Sequence, residues 1–139
     1  MAADRDIGSL LYEIRIPVLV AIVWATVGMV TPSFSGPLAD AVWVAVRVAL
    51  FGIAGYLVTR RGTFGLWHAA LAGVVVMLAD HVLVKGVAFL AASEGGAAFG
   101  VLVSFVLFFW VAAAAGTLGG VAGRAVAKRN AAKRAECRS

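Results

Sequence analysis

Four ionisable residues stand inside long apolar stretches of this sequence: Arg47, Asp80, His81 and Lys85. At membrane depth each would cost about 2.5–3.5 kcal/mol on insertion scales, so each requires a partner or a function. Arg47 follows Asp40 by roughly 10 Å of helical rise and stands near the middle of its stretch. Asp40, Trp43 and Arg47 share a face by the i, i+3, i+7 rule, which brings Trp43 within reach of the guanidinium. Asp80 lies roughly 24 Å along a helix from Phe64, reachable by Arg47 if the two stretches pack together. His81 and Lys85 are i, i+4 neighbours on a different face from Asp80.

Two chemistries fit this set. Arg47, Asp80, His81 and Lys85 could line an aqueous path or a site for a proton, an ion or an anionic solute. Alternatively, Arg47–Asp80 is a packing clamp, while His81 and Lys85 reach the outer interface. The clamp is favoured, because one pair satisfies the rule that intramembrane charges find partners. No Gly/Pro break of the kind transporters place at the midplane stands beside Arg47 or Asp80.

Other candidate chemistry is thinner. His68 and His81 are roughly 20 Å apart on one helix, and haem ligation would need a second histidine-bearing helix. His68, beside Trp67, reads as an interfacial residue. The run Gly116–Gly123 superficially resembles a phosphate loop but follows no strand. Cys137 is a lone thiol with neither disulfide nor metal partner. With no carboxylate pair, nucleophile–base set or metal cluster in view, no enzymatic reaction, cofactor or metal is assigned.

The elements that must position these residues follow from composition. Of 139 residues, 63% are apolar and 14% charged, and the mean hydropathy is +0.98. Ordinary soluble domains run about 45–50% apolar and about 25% charged. A soluble enzyme, a disordered chain and a disulfide scaffold are therefore excluded. The expected fold is an all-α membrane protein, a bundle of four transmembrane helices in one domain over residues 1–123. The spans are expected at 12–30, 38–59, 64–92 and 97–123, with a basic tail over 124–139. Pro17 falls near the first turn of its span, where a missing amide costs little. Pro32, Gly36 and Pro37 mark a turn. The third stretch would be roughly 43 Å long as a helix, longer than the hydrocarbon core of about 30 Å. Its outer turns beyond Lys85 are expected to project, with Lys85 snorkelling to the head groups.

Basic residues set the orientation. Arg5, Arg15, Arg60, Arg61 and the tail cations fall on one side of a four-span chain, and segments 31–37 and 93–96 hold no Lys or Arg. The positive-inside rule puts both termini in the cytoplasm. Asp4, Asp6 and Glu13 argue against a cleaved signal peptide. In the tail, Arg124, Lys128, Arg129, Lys133 and Arg134 have helical spacing and are expected to continue span four against anionic lipid head groups. Nucleic-acid binding is not expected.

Span four is bare along its inner half. Ala112, Gly116 and Gly120 make one small-residue row, and Ala115, Gly119 and Gly123 make another; Ala41, Ala45 and Ala49 repeat the motif on span two. Such rows let helix backbones approach closely in lipid. A tight crossing at Gly116 and Gly120 is expected, within the chain or across a homodimer. Trp24 and Trp110, deeper than an aromatic belt, are expected to fill gaps between helices. The functional expectation is a non-enzymatic accessory, assembly or scaffold subunit, possible in a homo-oligomer or larger membrane complex. The alternative is a homo-oligomeric channel or transporter using Arg47 and Asp80.

Overall fold

A computed structural model describes residues 2–30, 36–61, 64–91 and 95–136, and every regular element among them is an α-helix. The helices are α1 (Ala2–Val30), α2 (Pro37–Thr59), α3 (Leu66–Ala91) and α4 (Gly95–Glu136). Three are long and apolar enough to cross a membrane, over Gly8–Val27, Pro37–Thr59 and Leu102–Ala135. The described apolar stretch of α3 is Leu66–Val82.

One helix boundary differs from expectation. α1 starts at Ala2, so Pro17 sits mid-helix, fully buried, rather than in a first turn. The polar residues ahead of Tyr12 continue the helix, because charged side chains bar a segment from lipid, not from helical backbone. A proline inside a helix removes one backbone bond, and neighbouring helices in a bundle tolerate that loss. α4 runs through the tail to Glu136 as one 42-residue helix, in keeping with the spacing of its cations.

α2 begins as its local sequence dictates. Gly36 adopts φ 149° and ψ 159° at the N-cap, a conformation essentially confined to glycine. Pro37 follows at the first helical position, where its fixed φ suits a helix start. The first helical bond then closes from Asp40 N–H to Gly36 O at 3.0 Å.

α4 packs most extensively on α2 and then α3, while α1 lies against α2 and α3 and, among the described residues, does not touch α4. The core is built from Ile14 and Ala21 of α1, Phe51, Ala54 and Val58 of α2, Ala72, Val76 and Met77 of α3, and Ala112 of α4. Close approach of α4 depends on residues without side chains. A Cβ on Gly116 would stand 2.5 Å from Ala69 O and 3.3 Å from Gly73 Cα of α3. A Cβ on Gly119 would overlap the backbone of Gly52 on α2, and one on Gly123 would stand 2.6 Å from Tyr56 O. Gly120 faces Ala69, with Thr59 nearby. The two glycine rows of α4 thus meet two different helices of the same chain. At this crossing the Thr59 hydroxyl, fully buried, is 2.9 Å from Gly120 O on α4 and 3.0 Å from Gly55 O on its own helix.

The third small-residue row behaves differently. Ala41, Ala45 and Ala49 are all exposed, because α2 turns Leu50, Phe51, Ala54, Gly55, Val58 and Thr59 inward instead. Large apolar side chains also face outward around the bundle, among them Leu19, Val23, Leu38, Leu102, Leu107 and Leu118. Trp110 is 68% exposed, so it fills no gap within the chain; its ring meets only the edge of neighbouring Phe109 among the described aromatic contacts. Trp24 does pack between helices, its ring centroid 4.2 Å from that of Trp43.

Candidate functional site

Packing of α2 on α3 brings Arg47 to Asp80. Arg47 Nε lies 3.0 Å from Asp80 Oδ2, with the two side chains 20% and 2% exposed. The N–H is not aimed along a hydrogen-bond line, so the contact is a close approach of opposite charges rather than an aligned fork. His81 joins them: its Nδ1 is 3.6 Å from the same carboxylate oxygen. This differs from the expected separation of faces. Consecutive helical residues diverge by about 100° at Cα, but carboxylate and imidazole are long enough to turn back toward each other. His81 also packs against α4. It is buried, with its ring centroid 5.1 Å from Phe108 and 6.3 Å from Phe105 of α4.

The other candidate positions are more dispersed. Lys85 lies within α3, but its side chain is outside the described residues. Asp40 is exposed in the first turn of α2. The aromatic partner of Trp43 is Trp24 rather than the Arg47 guanidinium; the cation–π contact among the described residues is Arg15 over Tyr12. His68 has Phe64 as a ring neighbour at 5.2 Å.

Chemically, the Arg47–Asp80 contact neutralises two charges that would be costly to bury singly. A protonated His81 would add a second cation beside the carboxylate; a neutral one leaves the pair balanced. One arginine of α2 thus meets a carboxylate and an imidazole of α3 at a single point in the packed bundle.

A second polar feature lies at the end of the bundle where α2 finishes. Arg61 pairs with Glu13 of α1, and the Arg124 guanidinium passes close to Gly65 at the start of α3. Arg124, Lys128, Arg129, Lys133 and Arg134 are all exposed on the helical tail. Between the end of α2 and this tail is an open cleft of about 910 Å³, lined in part by Tyr56, Arg60, Arg61, Asn130 and Arg134. Sequence reasoning assigned no role to Tyr56 or Asn130, and none to Thr59, Gly52, Gly55 or Gly73. The last three carried a usable signal: glycine is unfavourable inside a helix by about 1 kcal/mol relative to alanine, and these three all meet α4, although Gly86 of α3 faces open space. Compared with known protein families, curated proteins and solved structures, the chain matches none.

Proposed function

We propose that this chain is an integral membrane protein whose four helices all span the bilayer, with both termini and the 60–63 segment in the cytoplasm. In this reading it is a non-enzymatic accessory, assembly or scaffold subunit. The outward belt of large apolar side chains supports membrane burial, because such a surface is ill suited to water. The gathering of Arg60, Arg61 and the α4 tail cations at one end supports the orientation through the positive-inside rule.

The observation that carries the subunit reading is the exposed row Ala41, Ala45 and Ala49 on α2. The glycine rows of α4 are used up inside the chain, whereas this one faces outward. Lipid tails gain little from a bare helix face, while another helix can approach it closely and multiply dispersion contacts. A cysteine at Ala45, in a protein lacking Cys137, is expected to crosslink in native membranes to a second copy or to another membrane protein. Ala45→Leu is expected to abolish that association with the fold intact. An Ala45 cysteine that crosslinks to nothing, in a protein that is monomeric by native mass measurement, would remove the basis of the subunit reading. Reporter fusions at Gly62 and after Ser139 should read cytoplasmic and one at Gly95 external; any other pattern overturns the orientation.

A second reading is favoured by one observation: His81 beside the ion pair. A clamp needs only Arg47 and Asp80, and a third titratable group suits a channel or transporter for a proton, ion or small anion. Proton flux into proteoliposomes that vanishes in Asp80→Asn would select this reading; absence of flux leaves the clamp as the role of the pair.

A further inference from the structure

We infer that the cleft between the end of α2 and the tail of α4 is a binding site for a phosphate-bearing anion, held by Arg60, Arg61 and Arg134. Three arginines are among its lining residues, and no acidic residue is among the described ones. Glu13, outside the lining, pairs with Arg61. With Arg61 already paired, Arg60 and Arg134 still place net positive charge around one space, and an anion between them would turn their mutual repulsion into attraction. Guanidinium forks match the oxygens of a phosphate two at a time. Tyr56 and Asn130, each with a polar side chain, are among the same lining residues.

The position of Arg134 separates this site from a generally basic flank. Asn130 and Arg134 follow one another by a helical turn and line the cleft, whereas Lys128, Arg129 and Lys133 do not. Ala127 and Ala131 lie beside them in the lining, and their short side chains keep the space open. A helix C-terminus attracts one cation, which accounts for Arg60 at the end of α2. It does not account for an arginine brought opposite from another helix.

The cleft opens directly beyond the level of the Thr59–Gly120 bond. On the membrane reading above, that is head-group depth, and the phosphate belongs to an anionic lipid. The same chemistry would take a soluble phosphate, which does not depend on that reading. The full-length protein in neutral detergent separates the sources. Native mass spectrometry measures retention of phosphatidylglycerol against phosphatidylcholine, and calorimetry measures binding of inorganic pyrophosphate. Preferred phosphatidylglycerol retention that pyrophosphate does not displace assigns a lipid; direct pyrophosphate binding that displaces it assigns a soluble anion. In either case R60A/R134A should weaken binding about ten-fold or more, and K128A/K133A, which removes the same charge, should change it less than three-fold. Asn130→Asp puts a carboxylate in the cleft without truncation, and should weaken binding even if the double variant fails to fold. Equal losses in the two double variants, no loss in Asn130→Asp, or no preference for either anion in the wild type would overturn the site. Because reporter topology tests membrane orientation separately, failure of one reading is distinguishable from failure of the other.

Discussion

Gly116→Ala tests whether the closeness of α4 to α3 is a source of stability. The added methyl would stand 2.5 Å from Ala69 O, where ordinary contact begins near 3.4 Å. The opposing atoms are backbone, which cannot rotate away, so α4 must withdraw by about 1 Å. A gap of that size forfeits a quarter to a half of each atom pair's attraction of about 0.1–0.2 kcal/mol. Over on the order of 40 pairs in the crossing, the loss is about 1–4 kcal/mol. Stretching of the Thr59–Gly120 hydrogen bond adds about 0.6 kcal/mol. Against this, alanine favours a helix over glycine by about 1 kcal/mol. The net expectation is destabilisation by about 0.6–3.6 kcal/mol, roughly a three-fold to several-hundred-fold shift in the unfolding equilibrium. Unfolding by SDS titration in mixed micelles, followed by tryptophan fluorescence, measures it. Val106→Leu, at an outward position that is 48% exposed, should stay within about 0.5 kcal/mol of wild type. A Gly116→Ala protein as stable as wild type, or more so, would refute the reasoning: helix propensity would then outweigh the crossing.

The same titration applies to the charged pair. Arg47→Ala leaves the Asp80 carboxylate without its guanidinium and should cost about 3–5 kcal/mol, whereas Arg47→Met with Asp80→Leu should be far milder; equal costs would show that the two do not act as a pair. Thr59→Val keeps the side chain's shape and deletes the hydroxyl shared by Gly120 and Gly55, so a loss of about 0.6–1.7 kcal/mol is expected, and an unchanged unfolding midpoint would count against the bond. A cysteine at Gly120, with Cys137 removed, should resist both maleimide labelling and inter-chain crosslinking, because that position faces Ala69 of the same chain; efficient dimer formation would contradict the intramolecular crossing.

Composition alone was enough to read a helical protein with long apolar segments, because too few polar groups exist to cover a water-facing surface. Turn chemistry located the start of α2, since a glycine in a restricted conformation followed by proline leaves little choice of backbone. Residue spacing also brought Arg47 and Asp80 together in anticipation, because unpaired charges in apolar stretches are costly enough to require each other. What spacing could not resolve was anything that depends on how one helix rolls against another. The small rows of α2 and α4 look alike in the sequence, yet one is exposed and the others are consumed by α2 and α3. His81 turned toward Asp80 through side-chain length, which a helical wheel ignores. Arg134 shares a cleft with Arg60 across residues far apart in the chain. Periodicity describes one helix at a time, whereas partner choice, rotation and axial register are set by the fit of several surfaces together, and only the packed bundle decides them.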